Sequence, residues 1–107
     1  MSRHNDKAME LIRHVAAAYI AREANRDALI TPTRVALSDD GMRAMVYVSV
    51  FPDTSRSAAL SFLSRHTPDF HEYLKKESRF ARLPSVRFAF DEGEENRRHL
   101  DDLSRRV

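Results

Sequence analysis

Apolar residues recur along this chain with two different periods. Over residues 6–23 they are spaced three and four apart, which predicts an amphipathic helix. Over residues 42–51 they alternate with other residues, which predicts a strand with one buried face. A second alternating run, residues 33–37, places Thr33, Val35 and Leu37 on one face. Residues 38–41 form a turn signal between the two runs, so the sequence predicts a β-hairpin.

Two more helices are predicted on either side of Pro68. One covers residues 55–65 and the other runs from residue 68 to about residue 79. Proline disfavours helical geometry in the residue before it, so Thr67 is expected to leave the first helix and to cap the second. Residues 85–90 alternate again and predict a third strand.

The predicted order of elements is α-β-β-α-(kink)-α-β, an α+β domain of residues 1–91 with a three-stranded sheet. The inward strand positions are apolar, so the helices are expected to cover one face of that sheet. Tyr47 and Arg87 then lie on the opposite face, where Tyr47 is interpreted as a β-favouring residue. Residues 92–107 are predicted to form a charged tail, with a short helix around Leu100 and Leu103.

Charge is unevenly distributed in this chain of 107 residues with a net charge of +2. Residues 55–88 contain seven Lys or Arg and three Asp or Glu, a local balance of +4. A positive segment attracts polyanions, of which nucleic acid is the commonest in the cytoplasm. There is no cysteine, no secretory signal and no apolar run long enough to span a membrane, so a cytoplasmic protein is expected.

The basic side chains of the positive segment are the candidate nucleic-acid contacts. We predict a phosphate-binding strip on the second and third helices and a further contact on the open sheet face: Arg65, His66, Lys75, Lys76, Arg79, Arg82 and, on the sheet, Arg87. Lys76 and Arg79 are three residues apart and are expected to share a helix face. Charge alone leaves open the alternative that these residues form a solvated helix face.

Residues capable of catalysis or metal binding do not form a recognisable group. His66 and His71 lie on either side of the predicted break without a further ligand pattern. The carboxylates at residues 91–95 have no matching nucleophile, and two glycines cannot form a phosphate-binding loop. We therefore predict neither an enzyme nor a cofactor or metal protein.

Three segments resemble the ribosome-binding factor A family. Residues 35–50 are similar to the family's hairpin, residues 82–92 to its basic stretch followed by apolar-Pro-x-apolar-x-Phe and an acidic exit, and residues 96–103 to its closing segment. The resemblance implies a type II KH-like domain. It also implies a non-enzymatic factor that binds the immature small ribosomal subunit and its ribosomal RNA and supports late maturation and rRNA processing. A monomer is expected.

The chain departs from the family where the kink is expected. KH domains commonly hold the RNA backbone with a Gly-x-x-Gly loop, and the resembled family has Ala-x-Gly, whereas residues 66–69 read His-Thr-Pro-Asp. Asp69 would also oppose an anion at a helix N-terminus, so the flanking basic side chains are expected to bind the RNA. Two alternatives remain: a generic KH-like RNA-binding module, or a protein–protein adaptor that uses the open sheet face or the tail.

Overall fold

The chain folds as two helices against a three-stranded sheet in the part described by a computed structural model, residues 3–93, with side chains from residue 6 onward. The elements are α1 (Arg3–Glu23), β1 (Leu29–Leu37), β2 (Arg43–Phe51), α2 (Arg56–Glu77) and β3 (Ser85–Phe90), with a short 3-10 turn, Asp53–Ser55, before α2. The α+β fold is therefore confirmed. The predicted tail helix around Leu100 and Leu103 lies outside the described residues.

The sheet is mixed, with β2 in the centre. Its order is β1-β2-β3, with β1 antiparallel and β3 parallel to β2. The predicted hairpin is confirmed, and its turn has Gly41 at a φ of 72°, which glycine adopts without steric cost. A parallel neighbour requires a crossover, which α2 supplies.

The core lies between the helices and the inner face of the sheet. Val46, Val48 and Val50 of the central strand are fully buried there. The predicted stripe of α1 is confirmed for its buried members, which are Ile12, Val15, Ala16, Tyr19 and Ile20. Buried residues of α2 and β3 complete this core: Ala59, Leu63, Phe70, Leu74 and Val86.

The predicted break at Pro68 is wrong, because α2 is one continuous helix through that residue. Thr67 does not cap a second helix; its hydroxyl donates to the carbonyl of Leu63 at 2.7 Å. Such back-bonding to the preceding turn is compatible with a helix and tends to bend it. Pro68 itself is exposed. The buried residues before and after it form one stripe, so the core holds both halves of α2 together.

Strand β1 also differs from the prediction, since it begins at Leu29 and includes Pro32. The register with β2 shifts between Pro32 and Arg34, which marks a β-bulge. Thr33 therefore does not continue the inward face of Val35. Its hydroxyl instead donates to Asp91 Oδ2 at 2.5 Å, and it also lies 3.3 Å from the carbonyl of Tyr47.

The two helices are joined by a hydrogen bond just after the proline. The hydroxyl of Tyr19 donates to Asp69 Oδ2 at 2.6 Å, and the Tyr19 ring packs edge-on against Phe70 with the ring centroids 5.3 Å apart. Burial of Tyr19, and then its hydrogen bond to Asp69, raise the pKa of that phenol. Asp69 thus serves packing between the helices, and no helix N-terminus exists at this position.

Tyr19→Phe is expected to lower the free energy of unfolding by about 0.5–1.5 kcal/mol at pH 7, the usual net contribution of one hydrogen bond, because solvent screens the charge of the exposed acceptor Asp69. A raised folded-state pKa contributes stability that is present below the ordinary tyrosine pKa of about 10 and is lost as the pH rises above it. Urea unfolding between pH 7 and 11 should show that part of the alkaline decline in the wild type and not in the variant. Tyr47→Phe serves as the control, because Tyr47 lies in β2 on the sheet face that points away from the helices. Equal stability of Tyr19→Phe and wild type would contradict the assignment.

Candidate nucleic-acid interface

The helical part of the predicted strip is mixed in charge. Arg65 and Lys76 are eleven residues apart on α2, so they lie on one side of the helix about 16 Å from each other. Asp69 and Glu72 fall between them on the same side at helical spacing. Along this side of α2 the two acidic residues thus lie between the two basic ones, and the net charge of the four is zero.

His66 is held along its own helix. Its Nδ1 donates to the Phe62 carbonyl at 2.8 Å, and its ring stacks on that of Phe62 with the centroids 4.1 Å apart. Because a carbonyl only accepts, Nδ1 carries the proton and Nε2 is the nitrogen left for another partner. His66 is half-buried, so it presents fewer free polar atoms to RNA than a fully exposed histidine of the predicted strip would.

The remaining strip residues follow the end of α2. Lys75 and Lys76 lie in the last turn, but α2 ends at Glu77, so Arg79 does not share a helix face with Lys76 as predicted. Arg79 and Arg82 lie in the connection to β3 and are exposed. The Arg82 guanidinium Nη1 lies 3.9 Å from the sulfur of Met42, next to the start of β2. The predicted strip thus divides into a helical part and a part beside the sheet.

Arg87 lies on the open face of the sheet, as the strand alternation predicted. Its strand neighbour is Met45, and Met45 in turn pairs with Ala36 of β1. A groove of about 520 Å³ opens beside them, with Arg43 and Arg87 among its lining residues. Both arginines are exposed, and neither has a carboxylate within ion-pair distance in the described part of the chain.

A compact cluster adjoins that groove along the bulge of β1. The guanidinium carbon of Arg34 lies 3.8 Å from the centroid of the Tyr47 ring, a cation–π contact. Asp91, directly after β3, is 5% exposed. Its Oδ2 lies 3.7 Å from Arg34 Nε and accepts the hydrogen bond of Thr33. The bulge and the end of β3 are therefore tied together through one carboxylate.

Two basic residues of this face, Arg34 and Arg43, are absent from the predicted contacts. The signal for them was available, because strand alternation places both on the same side as Tyr47 and Arg87. The sequence prediction missed them because it was based on the segment of highest net charge, residues 55–88, and both arginines lie outside that segment.

Between residues 6 and 93, histidines and carboxylates nowhere gather in a group of three or more that could hold a metal ion. Neither helix of the described part has the length and apolar character needed to cross a membrane.

Comparison with known proteins decides the family. The family model described as Ribosome-binding factor A matches residues 4–104. The chain belongs to the ribosome-binding factor A family. A relative named Ribosome-binding factor A, from Chlorobium chlorochromatii (strain CaD3), is 26% identical over 113 residues, covering 100% of this chain and 89% of the relative.

Solved structures of ribosome-binding factor A agree in fold. The crystal structure from Thermus thermophilus has a TM-score of 0.68 and 29% identity, over 76% of this chain and 89% of that one. A homology model of the Thermus thermophilus factor, fitted into a cryo-EM map of a 30S–RbfA complex, has a TM-score of 0.66 and 30% identity, over 75% and 87%. The KH-like arrangement expected from the resemblance is consistent with these structures.

Proposed function

We propose that the protein is a ribosome assembly factor that binds the immature small ribosomal subunit in the cytoplasm. It acts as a monomer, contacts ribosomal RNA, supports late maturation and rRNA processing, and catalyses no reaction itself. The observation that carries this proposal is the family match over residues 4–104. The similarity to a Thermus thermophilus factor that was fitted into a map of a 30S complex supports the choice of partner.

The exposed basic residues near the end of α2 are compatible with contact to the RNA backbone. The basic side chains at the end of α2 and in the following loop, Lys75, Lys76, Arg79 and Arg82, are all exposed. Basic groups gain affinity for a nucleic-acid backbone by displacing its counterions, whatever the base sequence. We include Arg65, His66 and Arg87 among the RNA contacts, with His66 limited to its Nε2.

The proposal is tested by sedimentation of a lysate that contains the tagged protein through sucrose gradients at low and high salt. Co-migration with free small subunits at low salt, and its loss at high salt, is the expected result, because the binding is electrostatic. Recovery of the protein only at the top of the gradient at both salt concentrations would overturn the proposal and favour the adaptor function.

Lys76→Ala combined with Arg79→Ala is expected to weaken binding of purified protein to purified small subunits. Each lost phosphate contact should reduce the slope of log affinity against log salt by about 0.7–0.9. Lys7→Ala combined with Arg26→Ala removes the same charge from exposed positions of α1 and the loop after it and serves as the control. A slope equal to that of the control would remove Lys76 and Arg79 from the interface.

A further inference from the structure

The three strands carry positive charge on one face only. Their described residues include three arginines, Arg34, Arg43 and Arg87, and no lysine, aspartate or glutamate. The pairing register places all three on the face that points away from α1 and α2. All three are exposed. We call this surface the outer sheet face; its charge is uniform, unlike that of the mixed side of α2.

The groove of the outer sheet face lies between two of these arginines. Arg43 and Arg87 belong to neighbouring strands, and the groove between them is lined by small or flexible side chains, including Ala36, Met45 and Ser85. Small side chains leave room for a ligand to approach the sheet, and the guanidinium groups can each bind a phosphate through two hydrogen bonds. The groove thus combines two anion-binding groups with an apolar floor.

The stacked pair Arg34–Tyr47 extends the outer sheet face toward β1. The guanidinium carbon of Arg34 lies over the Tyr47 ring, 3.8 Å from its centroid, yet 58% of the Arg34 side chain is exposed. Asp91 Oδ2 lies 3.7 Å from Arg34 Nε, and this ion pair holds the Arg34 side chain near the ring. Unpaired bases stack on aromatic rings and on guanidinium planes, so a base can continue the stack above Arg34.

Two carboxylates beside the outer sheet face, Asp40 and Asp91, offset part of its positive charge but are fewer than its three arginines. Asp91 is buried against Thr33 and Arg34. Asp40, in the turn next to Arg43, accepts hydrogen bonds from Ser38 Oγ at 2.6 Å and from the Met42 amide at 3.0 Å. These bonds, and to a lesser extent the charge of Arg43, hold the pKa of the Asp40 carboxyl below its ordinary value, so Asp40 stays an anion beside Arg43.

From these contacts we infer that the outer sheet face is a second RNA-binding surface, selective for single-stranded RNA. Arg43 and Arg87 hold backbone phosphates on the two sides of the groove, and the Arg34–Tyr47 stack receives an unpaired base. Arg34 and Arg87 lie about 12 Å apart, across two strand spacings and a stagger of two residues along the strands. The selectivity for single strands follows from the base on the stack, because the bases of a duplex are already paired and stacked on one another. The inference rests on the proposed function, since it specifies the form of RNA that the protein contacts.

The test uses the full chain and a fluorescein-labelled oligouridine of about ten nucleotides, with binding followed by anisotropy over a salt series. Arg43→Gln combined with Arg87→Gln should reduce the salt slope by about 1.4. If the variant and the wild type bind equally at 1 M salt, the variant should then bind about 25-fold more weakly than the wild type at 0.1 M salt. Lys7→Gln combined with Arg26→Gln removes equal charge away from the strands and should leave the slope unchanged.

Arg34→Lys separates base stacking from charge. It keeps the cation but removes the planar group, so binding should weaken about fivefold with an unchanged salt slope. A self-complementary duplex of the same length should bind less tightly than the single strand and should respond less to this variant. Equal loss on both probes would overturn the assignment of a base to the stack.

Two outcomes would overturn the surface as a whole. In one, the Arg43/Arg87 variant binds the oligouridine like its control. In the other, the variant loses thermal stability without losing affinity, which would mean that these arginines serve the fold. If wild-type protein binds small subunits and the Arg43/Arg87 variant binds them equally well, this inference fails while the proposed function stands. If wild-type protein does not bind subunits at all, the proposed function fails first.

Discussion

Phe70→Ala is expected to lower the free energy of unfolding by about 3–5 kcal/mol, the usual cost of truncating a buried phenylalanine. Phe70 is fully buried where α1, α2 and β3 meet. Its ring contacts Tyr19 and Phe88 edge-on, with centroids 5.3 and 5.5 Å away. Small domains have roughly 5–15 kcal/mol of stability in total, so the variant should unfold at a much lower denaturant concentration than the wild type.

Chemical denaturation of Phe70→Ala, followed by circular dichroism, measures this loss. The matched control is Phe51→Ala, which truncates the same residue type where it is 62% exposed and should change the unfolding free energy by about 0.5 kcal/mol or less. Equal stability of the two variants would contradict the burial of Phe70 in the core.

Asp91→Ala should cost about 1.5–3 kcal/mol, because hydrogen bonds to a charged acceptor contribute in that range. The substitution takes away the acceptor of the Thr33 hydroxyl and the carboxylate beside Arg34. It therefore releases the bulge of β1 from the end of β3 in addition to removing the bond itself.

Thermal and urea unfolding of Asp91→Ala can be compared with those of Glu92→Ala. Glu92 is the next residue and pairs with Arg56 at 3.0 Å, but its side chain is 69% exposed, so its loss should cost less than about 1 kcal/mol. Equal losses of stability in the two variants would mean that the interactions of buried Asp91 contribute no more to stability than those of exposed Glu92.

Helix α1 and strands β2 and β3 were predictable because their apolar periods are local and undisturbed, and the hairpin adds a turn with a glycine at positive φ. Only the second half of β1 was predicted, because Pro32 and the bulge after it interrupt the alternation. The break in α2 was wrongly predicted because proline chemistry was considered without the apolar stripe around it. Leu63 and Phe70 are seven residues apart, two helical turns, on either side of Pro68.

Energetic magnitudes explain why the continuous helix prevails at Pro68. A proline inside a helix costs about 3 kcal/mol, whereas burial of one leucine or phenylalanine contributes about 1.5–3 kcal/mol. Four buried residues of α2, two before and two after Pro68, therefore outweigh one proline. A prediction that weighs the cost of the proline against the contribution of the buried side chains would give a single helix.

The candidate interface was only partly predictable, for reasons of geometry. Net charge identified the segment that contains Lys76 and Arg79, but it could not show that α2 ends before Arg79 or that acidic residues share the side of Lys76. Strand alternation places Arg34, Arg43 and Arg87 on the open face of the sheet, but which of them are neighbours depends on the order of the strands and on their register. Neither is encoded in the charge pattern.

Pro32 has a consequence for the behaviour of the protein at high concentration. The carbonyl of Val48, its partner in β2, accepts the Asp91 amide at 2.8 Å, so in this pair the polar groups of Val48 face β3. By the alternation of antiparallel pairs, the nitrogen of Pro32 faces the free edge of the sheet, where it offers no N–H. The bulge that follows twists the same edge. A strand of another chain therefore cannot form a regular row of hydrogen bonds along the free edge of β1. This limits self-association through β1 and the growth of aggregates from it.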